Sequence, residues 1–394
     1  MNFTKKSKII ISFLKRLAPY VEAEVRELGL PVHDVFSSGL ESYGSLNDCI
    51  KLNLNLRCAS QVRYSIKAFK ANNPDDVYTN LLDIEWESII KPDGYFSVTN
   101  SADHPTVLNT MFINVKVKDA IVDHFRTNSN SRPNSGSDLN AAVIHLHWRK
   151  SDAEIFIDTS GHTLAKHGYR KIPGQAPMLE ALATGTIMAS KWDRQSSFIN
   201  PMCGSGTLAI EAALIATNRK PGLLRDNYAF MHIVDYDEAV YKKEFEMLQS
   251  SIKEIPDLKI IASDNRKDAL EISEVNAELA GVKHFIEFQK CDFSETTIPE
   301  KGGVLFLNPE YGERMGELHI LEKTYERIGD FMKKKCQGYT GYVYTGNLEL
   351  AKKIGLKASR RIEFYSAQID CRLLEYELYG GTRREFTNKP ISVE

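Results

Sequence analysis

No apolar run in the 394-residue sequence approaches the ~20 residues that a bilayer-spanning helix needs. The opening stretch, MNFTKKSKIIISFLKRL, is basic and apolar but has no small-residue cleavage site, so it reads as a buried strand entering a helix, and a cytoplasmic location with no membrane partner is expected. None of the six cysteines, Cys49, Cys58, Cys203, Cys291, Cys336 and Cys371, stands in C-x-x-C spacing, which argues against zinc sites and against a disulfide framework; no metal is expected. Positive charge is not in excess either. The formal net charge is −2, so there is no global basic field to attract nucleic acid. What basic character exists is local, at Lys5, Lys6 and Lys8, at Lys166 to Lys171, at Lys333 to Lys335, at Lys352 to Arg361, and at Arg383 with Arg384. Each cluster taken singly reads more readily as a solvated face than as a phosphate contact. Internal repeats and low-complexity tracts are also missing.

What remains is a globular composition, 42% hydrophobic and 26% charged, on a chain long enough for two or three domains. Its character changes near residue 165. Before that point, β-rich runs such as GYFSVTN (94–100) and AAVIHLHW (141–148) alternate with amphipathic stretches that read as helix, such as DCIKLNLNLRCASQVRYSI (48–66), an α+β pattern. RTNSNSRPNSGSDLN (126–140) is too polar for a core and reads as a loop. After about residue 175, strands and helices alternate: SSFIN (196–200), TLAIEAALIA (207–216), KIIASD (259–264), RKDALEISEVNAELAG (266–281), FIEFQ (285–289), GVLFLN (303–308), a helical stretch near 318–335 and GYVYTG (341–346). That alternation predicts a mostly parallel sheet with helices on both faces. The last apolar segment, RRIEFYSAQIDCRLLEYEL (360–378), predicts two antiparallel strands added at the sheet edge.

INPMCGSGTLAIEAA (199–213) runs from a strand through Gly204-Ser205-Gly206 into an apolar helix, where glycines let backbone approach a ligand and leave helix N–H groups free to bind it. A bare Gly-x-Gly also fits an ordinary tight turn. The next strand, however, ends in Ser263-Asp264-Asn265, and an acid at the tip of the second strand is placed to hold a ribose diol. Asp264 follows the glycines by about 60 positions instead of the roughly 20 usual in dinucleotide folds, which speaks against NAD. It fits a nucleoside cofactor without pyrophosphate, if 217–258 is an inserted helical excursion. A third acid, Asp292, closes the next strand.

In this order, NPMCGSGTLAIEAA, ASDNRKDALEISEVNAELAGV, CDF and NPEYGERMG resemble class I S-adenosylmethionine-dependent methyltransferases, most of all the THUMP-domain RNA methyltransferases that make N2-methylguanosine in bacterial 23S ribosomal RNA. The resemblance covers nearly the whole chain. It implies an α/β architecture: a ferredoxin-like α+β subdomain at 1–68, a THUMP domain at 69–165, a connecting segment with a cofactor-closing helix at 166–190, and a Rossmann-like methyltransferase domain with a seven-stranded sheet at 191–394. It further implies that Asn200, Pro201, Met202, Cys203, Gly204, Ser205 and Gly206 surround the methionine part of S-adenosylmethionine, that Asp264 holds its ribose, and that Asn265 and Asp292 lie near its adenine. Similar proteins begin the loop with Asp-Pro, whereas this sequence has Asn200-Pro201. Larger relatives carry a second methyltransferase domain; with one such domain ending at Glu394, one activity is expected.

The motif FLNPEYGERMG (306–316) places an amide, a rigid kink, a carboxylate and an aromatic ring at a strand end. In the related Asn/Asp/Ser-Pro-Pro-Tyr enzymes the target is an exocyclic amine. Here the Asn308 side-chain oxygen and the Pro309 carbonyl would accept its two hydrogens, while Tyr311 would stack on the flipped base. Glu310 stands where the family has a second proline. Three readings stay open for it: a selector facing guanine N1–H, a solvent-facing or Arg314-paired carboxylate, or a mark of lost activity. Glu313 and Arg314 read as a loop tie or a phosphate contact. A cysteine nucleophile is disfavoured, because the Pro-Cys dipeptide of pyrimidine-C5 enzymes is missing. For RNA contact, Lys166, His167, Arg170 and Lys171 are the leading candidates, with Arg132 in the polar loop. The partner expected is 23S ribosomal RNA or a pre-ribosomal particle. Against this stand a DNA adenine-N6 methyltransferase, disfavoured by the THUMP-like front, and an inactive RNA-binding assembly factor.

Overall fold

A computed structural model describes residues 2–107, 109–172, 177–312 and 318–379. The chain divides into two compact units, one of Met1–Leu14, Val21–Ala165 and Lys220–Ser250, the other of Lys15–Tyr20, Lys166–Arg219 and Ser251–Glu394. Up to Asp158 the elements are β1 (Ser7–Phe13), α1 (Ala18–Glu27), β2 (Val32–Val35), β3 (Gly39–Gly44), α2 (Leu46–Asn55), β4 (Ala59–Lys70), α3 (Pro74–Leu82), β5 (Tyr95–Asp103), α4 (Thr110–Ser129), β6 (Asn134–Gly136), β7 (Ala142–Arg149) and β8 (Asp152–Asp158). Among the described residues these strands form an eight-stranded sheet in the order β2-β3-β1-β4-β8-β7-β5-β6. One face is apolar because alternate residues point the same way: Ile9 and Ile11 of β1, Val62 and Tyr64 of β4, and Ile155 and Ile157 of β8 are all buried.

Two expectations change here. The stretch 48–66 is not one helix: α2 ends at Asn55, Leu56 is already extended, and residues from Ala59 onward belong to β4. The buried positions explain the switch, since Val62 and Tyr64 alternate with period two. The polar stretch 126–140 is not wholly loop either. Helix α4 continues to Ser129, and Asn134–Gly136 pair in parallel with β5 as a short edge strand. Arg132 is exposed between them.

From residue 180 the elements are α5 (Glu180–Ala189), β9 (Ser197–Pro201), α6 (Thr207–Ala216), α7 (Glu238–Ser250), β10 (Ile260–Asp264), α8 (Lys267–Leu279), β11 (Ile286–Lys290), β12 (Gly303–Leu307), α9 (Leu318–Lys335), β13 (Tyr339–Thr345), α10 (Leu348–Lys353), β14 (Arg360–Ser366) and β15 (Ile369–Glu377). Residues 217–258 are the helical excursion expected from the spacing of Asp264: short 3₁₀ turns and α7. Part of it is fastened within the first unit, where the Asn55 amide donates to Glu244 (2.9 Å) and Arg225 donates to the carbonyls of Thr163 (2.9 Å) and His162 (3.0 Å).

The second sheet has seven strands among the described residues, in the order β11-β10-β9-β12-β13-β15-β14. Its first five strands run parallel, and β15 and β14 are antiparallel additions at the edge. Helix α9 buries Leu321, Tyr325, Ile328 and Met332 against Leu305, Leu307 and Val343, a spacing of three or four that puts one stripe on the sheet. The order reverses between β9 and β12. At such a switch point the loops leaving neighbouring strands diverge and open a crevice beyond the strand ends, where ligands bind in open α/β sheets.

Candidate active site

The loop after β9 is held open from below. Met202, Gly204 and Gly206 have positive φ (57°, 57° and 80°), which turns the chain sharply out of the strand and into α6. The Cys203 N–H donates to the Ser263 carbonyl (2.9 Å), the Ser273 hydroxyl donates to the Gly204 carbonyl (2.7 Å), and the Asn276 amide donates to the Ser205 carbonyl (3.3 Å). A side chain at Gly204 would meet nothing within 4 Å, so this backbone faces open space. Gly206 differs. A Cβ there would lie 2.9 Å from the Ser273 hydroxyl and would also have to tolerate φ of +80°. Gly206→Ala is therefore expected to weaken S-adenosylhomocysteine binding by about tenfold, checked by isothermal titration calorimetry; wild-type affinity would contradict this account of the turn.

Asp264, at the tip of β10, accepts from the Gly204 N–H (3.0 Å) and the Arg266 N–H (3.0 Å), one bond to each oxygen. Each oxygen keeps a lone pair for a ribose hydroxyl. Asn265 is exposed just beyond it. One oxygen of Asp292 is more heavily engaged, accepting from the Ser294 N–H (3.0 Å), the Ser294 hydroxyl (2.6 Å) and Arg327 (2.6 Å). Burial alone would raise its carboxyl, yet the bonds from Arg327 and Ser294 hold it below the usual range.

Asn200 is 1% exposed. Its amide nitrogen donates to the Phe306 carbonyl (3.0 Å), and its side-chain oxygen is buried with no partner among the described residues. An aspartate in this geometry would set carboxylate against carbonyl. Asparagine instead bonds to β12 through its nitrogen and leaves an acceptor for a cationic ligand group. That orphaned oxygen, the carboxylate of Asp264 and the open glycine backbone fit a zwitterionic nucleoside such as S-adenosylmethionine. Cys203 is not a thiolate candidate: burial, with Asp264 beside it, pushes its thiol up to about 12.

The bond from Asn200 lands two residues before Asn308, so the cofactor loop and the Asn-Pro-Glu-Tyr motif leave adjacent strands at the switch point. Pro309 is buried and Glu310 is exposed. Among the described residues neither the Asn308 amide nor the Glu310 carboxylate has a partner. Glu313 and Arg314 lie outside the described residues. Tyr311 is half-buried. Its ring edge lies so close to Gly346 that a Cβ there would be 2.9 Å from Tyr311 Cε2, and its hydroxyl points toward Cys371 and Ser366. Burial and the Cys371 neighbour push that hydroxyl up to about 12, so the ring stays neutral at physiological pH.

Of the RNA-contact candidates, Lys166 and Lys171 are exposed, but His167 and Arg170 require correction. His167 is fully buried and hydrogen-bonded through Nδ1 to Glu211 Oε1 (2.8 Å), which also accepts from the Tyr169 hydroxyl (2.9 Å), while Glu211 Oε2 accepts from Thr184 (2.8 Å). Burial works to raise the Glu211 carboxyl, but His167 and the three bonds outweigh it and hold it below its usual range. The Arg170 side chain, 10% exposed, donates to the Met178 carbonyl (2.7 Å) and the Thr207 hydroxyl (2.6 Å), so it cannot reach a phosphate backbone from the surface. The loop-holding Ser273 and Asn276 were not singled out from sequence. Their signal was available, since both are polar residues at i, i+3 on the core-facing side of α8.

Comparison with known proteins adds independent findings. Residues 167–375 match the family described as "RMKL-like, methyltransferase domain", 71–158 match the THUMP domain, and 8–63 match the RlmL ferredoxin-like domain. A ribosomal RNA large subunit methyltransferase K/L from Psychromonas ingrahamii is 34% identical over 370 residues, covering 92% of this chain and 49% of the relative. The chain thus spans about half the length of the K/L proteins it matches. The solved structure of SMU.472, a putative methyltransferase complexed with SAH, superposes with a TM-score of 0.85 at 26% identity, covering 97% of this chain and all of that one. A predicted N6-adenine-specific DNA methylase from Listeria monocytogenes superposes with a TM-score of 0.84 at 27% identity, covering 96% of this chain and 97% of its own.

Proposed function

The chain belongs to the THUMP-containing RMKL-like methyltransferases and is S-adenosylmethionine dependent, and from that premise we propose that it methylates the exocyclic N2 amine of a guanosine in 23S ribosomal RNA. The observation that carries the reading is the switch-point junction: through Asn200 and Phe306 the cofactor loop is bonded to the strand that presents Asn308-Pro309-Glu310-Tyr311. When bound, the cofactor supplies an electrophilic methyl group on a sulfonium. The protein has to orient the amine. Proline fixes its own φ and biases Asn308 toward extended backbone, so the Asn308 side-chain oxygen and the Pro309 carbonyl can accept the two amine hydrogens together. The neutral Tyr311 ring offers a stacking surface for a base taken out of its helix. Guanine N2 needs no strong base, because the amine proton becomes acidic once the nitrogen is alkylated, and rate enhancement comes from alignment and preorganised acceptors.

The same motif chemistry suits adenine N6, and the Listeria structure carries that description. The THUMP match supports RNA instead, and the exposed Lys166, Lys171 and Arg132 are available to contact phosphates. Binding through them should weaken steeply with salt. Transfer of labelled methyl to unmodified 23S RNA and not to duplex DNA is the expected outcome; methylated DNA adenine would replace this reading. The intact loop, with an acceptor left free at Asn200, speaks against an inactive assembly factor.

Glu310, exposed and without an ion-pair partner among the described residues, is assigned to the Watson–Crick edge of guanine, where a carboxylate accepts from N1–H and repels the acceptor N1 of adenine. Glu310→Gln should then lower transfer to guanosine about tenfold, the worth of a charge-assisted hydrogen bond, and Glu310→Pro should also relax base choice. Unchanged rates and base choice in both variants would remove this role.

A further inference from the structure

We propose that Gly346 and Cys371 are positioning residues for Tyr311: the first leaves the space that admits the edge of its ring, the second faces its hydroxyl, and together they present the ring as a fixed stacking surface for the target base. The inference rests on the base-stacking role given to the Asn-Pro-Glu-Tyr motif above and extends it to β13 and to the β14–β15 hairpin. In the sheet order β12, which leads into the motif, lies beside β13, and β13 beside β15. Gly346 follows β13 directly. A Cβ there would lie 2.7 Å from Ile369 Cγ2, 2.9 Å from Tyr311 Cε2 and 3.0 Å from Tyr311 Cδ2. Ring and isoleucine therefore occupy the place that any larger residue's side chain would take. Neither can yield cheaply, because a planar ring moves only as a whole and a β-branched side chain has few rotamers to escape into.

The far end of the ring is held as well. Paired residues and residues two apart share a face of a sheet, which puts Ser366, opposite Ile369, together with Cys371 on the side that Tyr311 packs against. Cys371 is fully buried. Tyr344 is 1% exposed, its ring centroid 6.5 Å from that of Tyr311 and the planes at 64°. Both tyrosine hydroxyls face Cys371 and Ser366. That of Tyr344 has no hydrogen bond among the described residues, a cost of the kind that collects where a functional geometry is imposed. A thiol is a weak partner for a hydroxyl, so the place of the Tyr311 ring is set chiefly by shape at Gly346 and its rotation by the thiol. The hairpin that carries Cys371 has little freedom to move. Its turn is two residues, Ala367-Gln368, with Ala367 at φ +52°, a left-handed conformation that suits the twist of a tight hairpin. Beyond it Arg372 donates to both oxygens of Asp370, and Arg16 pairs with Glu363 at 2.7 Å. Tyr311 nonetheless stays half-buried, so part of the ring is left to meet a base.

The test is a double-mutant cycle scored by single-turnover methyl transfer to unmodified 23S RNA, with S-adenosylhomocysteine affinity measured alongside by isothermal titration calorimetry. Gly346→Ala should slow transfer about tenfold, the cost of a displaced stacking surface, and leave that affinity unchanged. In a Tyr311→Ala background, which empties the niche, the same substitution should change the rate by no more than about twofold. Cys371→Ala should lower the rate about threefold, the worth of a modest hydrogen bond. Cys371→Ser should restore it, and neither change should matter in Tyr311→Phe, which lacks the hydroxyl. Equal losses from Gly346→Ala in both backgrounds would make it a structural defect unconnected with Tyr311 and overturn the proposal, as would no loss in either. So would a Cys371→Ala loss that persists in Tyr311→Phe. Absence of transfer to 23S RNA by the wild-type protein would instead remove the guanosine reading. The positioning claim is then decided by the crystal structure of Gly346→Ala, where a displaced Tyr311 ring supports it and a ring in its wild-type place overturns it.

Discussion

Asn308→Ala will slow methyl transfer by about a hundred- to a thousandfold, the usual cost of deleting one preorganised hydrogen-bonding group aimed at the reacting centre. The loss should appear in kcat, with S-adenosylhomocysteine affinity unchanged, because among the described residues the side-chain contact between the cofactor loop and this strand runs through Asn200 to Phe306 and not through Asn308. Single-turnover transfer to RNA alongside calorimetry separates the two quantities. Asn308→Asp is informative as well. It keeps an acceptor at the same place but replaces the amide's N–H₂ with a second oxygen, so it should retain more activity than alanine. A kcat within a few-fold of wild type in Asn308→Ala would mean that the amine is oriented by something other than this motif.

Glu211→Ala is expected to cost about 3–5 kcal/mol of stability, since it leaves His167 and the hydroxyls of Tyr169 and Thr184 buried around a missing carboxylate. For a unit of roughly 200 residues that corresponds to a melting temperature about 10 °C lower. The effect has a defined pH signature. The Glu211 carboxyl is held below its ordinary value in the folded state, so its contribution is complete above the unfolded-state value of ~4.3 and disappears as pH falls through the lower folded value. Thermal melts of wild type and Glu211→Gln should therefore differ fully at pH 7 and converge on acidification below about pH 4. A gap that stayed constant with pH would show that Glu211 is not ionised in the folded protein.

That buried carboxylate also shows where sequence reading stopped short. A lone acid inside the apolar stretch TLAIEAALIA is a sign that something polar must meet it in the core, and the period-two pattern of His167 and Tyr169 supplies the partners. Seen only as part of a basic run from Lys166 to Lys171, His167 and Arg170 looked like surface charge. Local charge density does not say which side of an extended segment faces inward. The parallel sheet was legible for the opposite reason. Each strand there is short, apolar and followed by a well-patterned helix, so α6 and α9 fall where the sequence put them, and the edge pair β14 and β15 follows from a turn between two alternating runs. Residues 48–66 misled because α2 passes into β4 through only Leu56, Arg57 and Cys58, without a glycine or proline to mark the change. The glycine loop and the Asn-Pro-Glu-Tyr motif could be found by order along the chain. Their junction through Asn200 could not, because it depends on β9 and β12 being neighbours at the point where strand order reverses.

The most direct measurement is nucleoside analysis of unmodified 23S ribosomal RNA after incubation with the protein and methyl-labelled S-adenosylmethionine. The account predicts label in N2-methylguanosine, lost in the Asn308→Ala variant. Label in N6-methyladenosine or in a C5-methylated pyrimidine, or no transfer from protein that binds the cofactor and the RNA, would contradict it.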